Sequence, residues 1–161
     1  MTDSAILSVT PYPANGVSKE AQFVEREWEC GQKRLQDSHY WGMHGKEVFE
    51  ELCEVAEECG MPNWDGYGAE AVSQESYSVA YRFLEALPVG FPAPSIGAEP
   101  DGCLTLEWHR TPHHTVSVSV SPQAELDYSA LVGPNRVYGK EVFFDEPPKA
   151  ILELIRRILQ Q

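Results

Sequence analysis

The chain has 161 residues, of which 42% are hydrophobic, enough for the core of one domain and too many for wholesale disorder. Its 12 Lys and Arg against 25 Asp and Glu give a formal net charge of −13. This charge argues against direct binding of nucleic acid or of an anionic membrane, because both require a basic surface. No apolar run approaches the length of a transmembrane helix, and the first residues lack a basic signal region, so we expect a soluble cytoplasmic protein.

The N-terminal part is predicted to be an arm followed by a helix. Residues 1–17 place prolines and a glycine around a short apolar run, which is typical of an arm. Apolar residues then recur every three or four positions over about 19–37, which predicts a first helix. Tyr40 and Trp41 follow it, and aromatic residues beside a glycine suit an interface, so they are candidate partner contacts. The remainder, 18–161, is expected to form a single domain.

The stretch 45–59 has the strongest helical periodicity in the chain. Its apolar side chains cover one broad arc of a helical wheel, and glutamates cover the complementary arc. These glutamates are Glu47, Glu50, Glu51, Glu54, Glu57 and Glu58. With Lys46 as the nearby cation, the helix is expected to present an acidic, solvent-facing side. That side is either a coat that aids solubility or a docking surface for a basic partner, including one that holds nucleic acid.

A turn-rich segment, 63–70, follows this helix. Its glycines permit positive φ, and Asn63 or Asp65 can accept hydrogen bonds from the nearby backbone. We predict a structural turn that anchors Trp64 in the core; the alternatives are a recognition loop presenting Tyr67 and an oxygen-rich ion site. The acidic spacing of an EF-hand is absent, and neither a GxGxxG nor a P-loop pattern accompanies the glycines. We therefore predict no metal and no cofactor.

The second half of the chain changes from helical to alternating periodicity. A Ser-capped helix is predicted over 74–87, and four strands joined by short proline-containing connections are predicted between about 103 and 144. A last helix follows Pro147-Pro148 and extends to about 160. This order predicts an α+β fold, with helices packed on one face of a four-stranded antiparallel meander and a C-terminal helix. Trp64 and Trp108 should both be buried.

The histidines and cysteines offer little chemistry. His109, His113 and His114 crowd one predicted hairpin connection, which is either an exposed polar turn or a site where imidazoles bind a transition metal. No CxxC pair occurs, so we predict four free thiols rather than a zinc site. The thiols belong to Cys30, Cys53, Cys59 and Cys103. No nucleophile, base and oxyanion hole can be assembled from the sequence, so we predict that the protein is not an enzyme.

One run of motifs carries a resemblance. Asn-Trp-Asp-Gly-Tyr-Gly-Ala is followed by a Ser-started helix ending in Leu-Glu-Ala-Leu-Pro, and then by Pro-Asp-Gly-Cys-Leu-Thr-Leu-Glu-Trp. This combination resembles a widespread family of small bacterial proteins of unknown function that share an NWDGxGA turn. The similarity covers about 62–159. It implies a shared fold unit and a source in a bacterium, a phage or a mobile element, but no activity and no catalytic residues.

Net charge, the glutamate side and the missing catalytic set together predict a non-catalytic acidic module that acts by protein–protein contact. We expect its partner to be a basic nucleic-acid-handling protein, which it inhibits or regulates. Anti-CRISPR and other anti-defence proteins, antitoxins and immunity proteins are the classes that match. The alternatives are a metal-assisted enzyme using the histidine loop and a structural subunit of a larger assembly.

Overall fold

The computed structural model describes residues 43–160, and for Met43 and His44 the backbone alone. The helices in this part of the chain are α1 (Met43–Glu58), α2 (Gln74–Glu85) and α3 (Lys149–Leu159). The strands are β1 (Ser95–Ala98), β2 (Leu104–Thr111), β3 (His114–Val120), β4 (Glu125–Val132) and β5 (Asn135–Val142). The predicted arm, 1–17, and the predicted first helix, 19–37, lie outside the described residues.

The strands form one antiparallel sheet in the order β1-β2-β3-β4-β5, so each strand pairs with its neighbours in the chain. The predicted α+β fold and the antiparallel meander are confirmed, but the predicted number of strands is wrong, because the sheet has five. The missed strand is β1. It has only four residues, follows a proline-rich stretch and contains Gly97, so no alternating apolar pattern marks it.

The inner face of the sheet is the one that the helices cover. On β3, Val116, Val118 and Val120 have no exposed surface, whereas the residues between them are half-buried. Both α2 and α3 contact β2 and β3, and their buried side chains belong to the same core cluster as these valines. Phe83 of α2 packs edge-on against Phe143, with 5.5 Å between ring centroids. The predicted packing of helices on one face is therefore confirmed.

The ends of the helices match the predictions closely. Ser73 caps α2, because its hydroxyl oxygen accepts a hydrogen bond from the Ser76 backbone N–H at 3.0 Å. The C-terminal helix begins directly after Pro148.

Helix α1 packs against α2 and against β1, the strand at one edge of the sheet. Within residues 43–160, the helices are all too short or too polar to cross a membrane.

The two tryptophans differ in burial. Trp108 is only 3% exposed, and its indole N–H donates to the Pro92 carbonyl oxygen at 2.9 Å, so its predicted burial is confirmed. Trp64 packs against the core but is only half-buried, and its indole N–H donates to the Glu70 carbonyl oxygen at 2.9 Å. The prediction that Trp64 is largely buried is wrong, because the ring is held at the surface by a hydrogen bond within its own loop.

Candidate functional site

The acidic face of α1 consists of its exposed glutamates, Glu47, Glu54, Glu57 and Glu58. The salt bridges among residues 43–160 involve none of these four carboxylates. Glu50 is different, since its carboxylate lies 3.6 Å from the Lys46 ammonium. Four predicted contact residues therefore form an exposed acidic surface without a neutralising cation in the described part of the chain.

Glu51 departs from the prediction. Its Oε1 accepts a hydrogen bond from the Ile96 backbone N–H at 2.9 Å, and its side chain is half-buried. Ile96 belongs to the edge strand β1, so the carboxylate pairs a main-chain donor that the sheet does not. The prediction that all of the glutamates face solvent is wrong for Glu51, which lies at the border of the apolar arc and joins α1 to the sheet.

Glu57 and Glu58 lie in the last turn of α1, where helix stability disfavours them. The carbonyl end of a helix carries partial negative charge, so carboxylates there are destabilising and basic side chains are favourable. The last turn of α1 has no basic residue, and its first turn has no acidic one. The dipole of the helix therefore does not account for the position of these two carboxylates.

The loop after α1 is held by its own side chains. Asp65 Oδ1 accepts hydrogen bonds from the backbone N–H groups of Tyr67 at 2.8 Å and Ala69 at 3.1 Å. Asn63 Oδ1 accepts one from the Gly68 N–H at 2.7 Å. The bonds from Tyr67 and Ala69 hold the pKa of Asp65 below its ordinary value. The predicted capping of the backbone by Asn63 and Asp65 is thus present.

Tyr67 projects from this loop with 94% of its surface exposed. The adjacent glycines, Gly66 and Gly68, have φ values of 77° and 94°, which other residues adopt only with strain. The loop therefore displays the Tyr67 ring on a fixed backbone. The alternative of an ion site gains no support, because residues 43–160 contain no group of three or more His, Cys, Asp or Glu side chains arranged to hold a metal.

The three candidate histidines do not form a metal site either. His109 Nδ1 lies 3.1 Å from the Thr115 hydroxyl, and His114 Nδ1 lies 2.8 Å from the Thr111 hydroxyl. His113 is exposed in the turn between β2 and β3. The described geometry matches a polar hairpin turn, so the metal-assisted alternative has no supporting arrangement here.

The cysteines are not all free. Cys59 and Cys103 are free thiols, whereas Cys53 is disulfide-bonded. The prediction of four free thiols is therefore wrong at Cys53, and for Cys30 it lies outside the described residues. Burial raises the pKa of the Cys59 thiol, and burial together with the Asp101 carboxylate raises the pKa of Cys103 to about 11. Both thiols are protonated at neutral pH, which argues against a nucleophilic role.

The outer face of the sheet carries a shallow hollow of about 550 Å³ that the sequence did not predict. Short side chains, Ser117 and Ser119 of β3, form its floor. Longer side chains on either side form its rim: Glu99 beyond β1, and Tyr138 and Lys140 on β5. The serines that alternate with valines on β3 are visible in the sequence, and they indicate a polar outer face. The residues opposite them depend on strand register, which the sequence alone did not provide.

The remaining candidate contacts, Tyr40 and Trp41, lie outside the described residues. No protein-family model, no curated protein and no solved structure matches this chain. The resemblance to the NWDGxGA proteins stays a prediction.

Proposed function

We propose that this protein is a non-catalytic acidic interaction module whose α1 acidic face docks on the basic surface of a nucleic-acid-handling protein, which it thereby inhibits or regulates. The observation that carries the proposal is the exposed, unneutralised carboxylate surface of α1, with Glu57 and Glu58 in a turn where they oppose the helix dipole.

The spacing of the face suits a basic groove. Glu47, Glu54 and Glu58 are seven and then four residues apart, so they lie along one side of the helix over about 16 Å. Lysines and arginines that track a phosphate backbone can meet such a row of carboxylates. Complementary charge of this kind accelerates association and selects among partners. Tyr67, on the loop that follows the same end of α1, adds an exposed aromatic side chain of the type enriched at interfaces.

Small inhibitors of nucleic-acid-handling proteins are the classes that this mode matches: anti-CRISPR and other anti-defence proteins, and antitoxin or immunity proteins. The proposal also includes a cytoplasmic location, which the free thiols of Cys59 and Cys103 favour and the disulfide of Cys53 opposes. The state of Cys53 in the cell is therefore a direct test: a free thiol there supports the cytoplasmic location, and a disulfide contradicts it. Thiol alkylation of protein trapped inside living cells, followed by mass analysis, measures it.

The docking proposal is tested with two variants of equal charge. The first, E54K/E57K/E58K, reverses three residues of the acidic face; the control, E85K/E146K/E153K, reverses three exposed glutamates elsewhere. Each changes the net charge from −13 by +6 to −7. Both are used with the wild type to capture partners from a nuclease-treated bacterial lysate, and captured proteins are purified for affinity measurements at low and high salt.

We expect the wild type and the control to retain a basic protein that double-stranded DNA displaces, and the α1 variant to lose it, because the binding surface itself is reversed. Equal retention by the α1 variant and the control contradicts the proposal. So does a captured protein that nucleic acid does not displace, since the acidic face is proposed to occupy the nucleic-acid site.

A further inference from the structure

The hollow on the outer face of the sheet is separate from the acidic face of α1. Strand register places Ser119 directly between Thr105 and Asp127, and Ser117 between Glu107 and Ser129. Hydroxyl-bearing or carboxylate side chains therefore stand side by side across neighbouring strands. Since strands lie about 4.8 Å apart, these groups form a regular array of hydrogen-bonding atoms.

One rim of the hollow supplies a hydrogen-bond donor that is already oriented. The Lys140 ammonium donates to Glu125 Oε2 at 3.0 Å and contacts Asp127 Oδ2 at 3.3 Å. These two carboxylates raise the pKa of Lys140, so it stays protonated. An ammonium has three donors, which leaves one for a ligand in the hollow.

The other groups of the hollow add acceptors, and its serine hydroxyls can both accept and donate. Glu99 Oε1 accepts a hydrogen bond from the Thr105 hydroxyl, which leaves its second oxygen for a ligand. Asp127 keeps further acceptor capacity beside Lys140, and the serine hydroxyls of the floor can act in either role. Donors and acceptors are therefore interleaved within one shallow concavity.

This composition disfavours two classes of ligand. Apart from Tyr128 and Tyr138 the lining offers an apolar ligand no apolar side chain, and an anion meets two carboxylates, Glu99 and Asp127, against one ammonium. A cationic side chain is attracted by these two carboxylates and repelled by Lys140 on the rim, so the arginine-rich peptide in the test below has to separate it from a neutral ligand. A neutral molecule rich in hydroxyl groups meets none of these obstacles, because each hydroxyl both donates and accepts.

Tyr138 adds an exposed aromatic ring to the hollow. Its side chain is 84% exposed on the rim, so a flat aromatic surface stands beside the hydrogen-bonding array. An aromatic ring can pack against the C–H face of a sugar ring while its hydroxyl bonds to a polar group. We propose that the hollow binds a neutral saccharide, with Tyr138 against the sugar ring and with Asp127, Lys140 and the serines bonded to its hydroxyls.

The test is an amide NMR titration of the full chain with maltotriose, cellotriose, chitotriose and, separately, an arginine-rich peptide. We expect at least one saccharide to shift the amides of Ser117, Ser119 and Tyr138, with a Kd on the order of 1 mM in so open a site. Tyr138→Ala should weaken binding by at least about tenfold. Phe144→Ala is the matched control, since this 74% exposed aromatic lies outside the hollow, and it should leave the Kd unchanged.

A second variant, Ser119→Leu, fills the floor without changing any charge and should also abolish the shifts; its amide spectrum without ligand reports whether it is folded. The proposal is overturned if no saccharide shifts these amides, or if Tyr138→Ala binds the saccharide with the Kd of the wild type. It is also overturned if the arginine-rich peptide shifts the amides of the hollow and the saccharides do not, because the hollow is then a site for cations. None of these outcomes depends on the acidic face of α1.

Discussion

The two faces of the sheet are built from alternate residues of the same strands, yet one face is buried under helices and the other is partly open to solvent. On the inner face, Leu104, Leu106 and Trp108 of β2 are buried under the helices. On the outer face, Thr105 and Glu107 of the same strand are only half-buried. Stability therefore comes from one face, while the other is free to carry binding groups. Substitutions on the inner face should destabilise the protein, and those on the outer face should leave its stability nearly unchanged.

The largest effect is expected from Trp108→Ala on the inner face. Truncating a buried tryptophan removes its packing and leaves a cavity, which costs about 3–5 kcal/mol of unfolding free energy. Tyr138→Ala, on the outer face and 84% exposed, should change it by no more than about 0.5 kcal/mol. Urea unfolding of both variants measures the difference. Similar losses at the two positions would remove the distinction between the faces.

Two strand glycines make the comparison sharper. A Cβ added at Gly139 would lie 2.5 Å from the Tyr128 hydroxyl oxygen, because the tyrosine ring lies across this glycine on the inner face. A Cβ at Gly97, which is paired with Thr105 on the outer face, meets nothing within 4 Å. Gly139→Ala should therefore cost about 1–3 kcal/mol through overpacking, and Gly97→Ala should cost little. The prediction fails if thermal unfolding shows the two alanine variants to be equally stable.

The inner face of the sheet and the exposed side of α1 were largely predictable from the sequence, whereas the contact of Glu51 and the hollow were not. Val116, Val118 and Val120 alternate with serines, a local pattern that reports burial directly. The role of Glu51 depends on β1, a strand too short to show an alternating pattern in the sequence. The hollow depends on which residues of the neighbouring strands lie beside Ser117 and Ser119. Alternation predicts which residues are buried, whereas a binding surface requires register and tertiary contacts that no local pattern records.

The loop after α1 is exposed like the outer face of the sheet, but hydrogen bonds between its own side chains and backbone stabilise it. The pKa of Asp65 is held below its ordinary value of 3.8, so its charged form stabilises the folded state. That contribution is present above 3.8 and is lost as the pH falls through the lower, folded-state pKa. Asp65→Asn should lower the melting temperature at neutral pH, and the gap from the wild type should narrow in acid. A gap that is constant with pH would contradict this role for the carboxylate.

The smallest change in the free energy of unfolding is expected at the C-terminal end of α1. Glu57→Gln and Glu58→Gln remove negative charge from the carbonyl end of the helix, so each should stabilise the fold by about 0.3 kcal/mol at low salt. Added salt should reduce the gain, because screening weakens it. Glu47→Gln, in the first part of the same helix, is the control and should bring no such gain. Destabilisation by either C-terminal change, measured by urea unfolding, would show that these carboxylates support the fold.

The order of the sheet has a consequence for synthesis on the ribosome. Because β1 to β5 pair in chain order, each hairpin can form as soon as its second strand emerges. The inner face of that sheet remains without α3, whose Ile151, Ile155 and Ile158 have no exposed surface in the folded protein, until residues 149–159 emerge. A chain that stalls between β5 and α3 would thus present a finished but half-covered apolar sheet, the species most prone to aggregate and most dependent on chaperones.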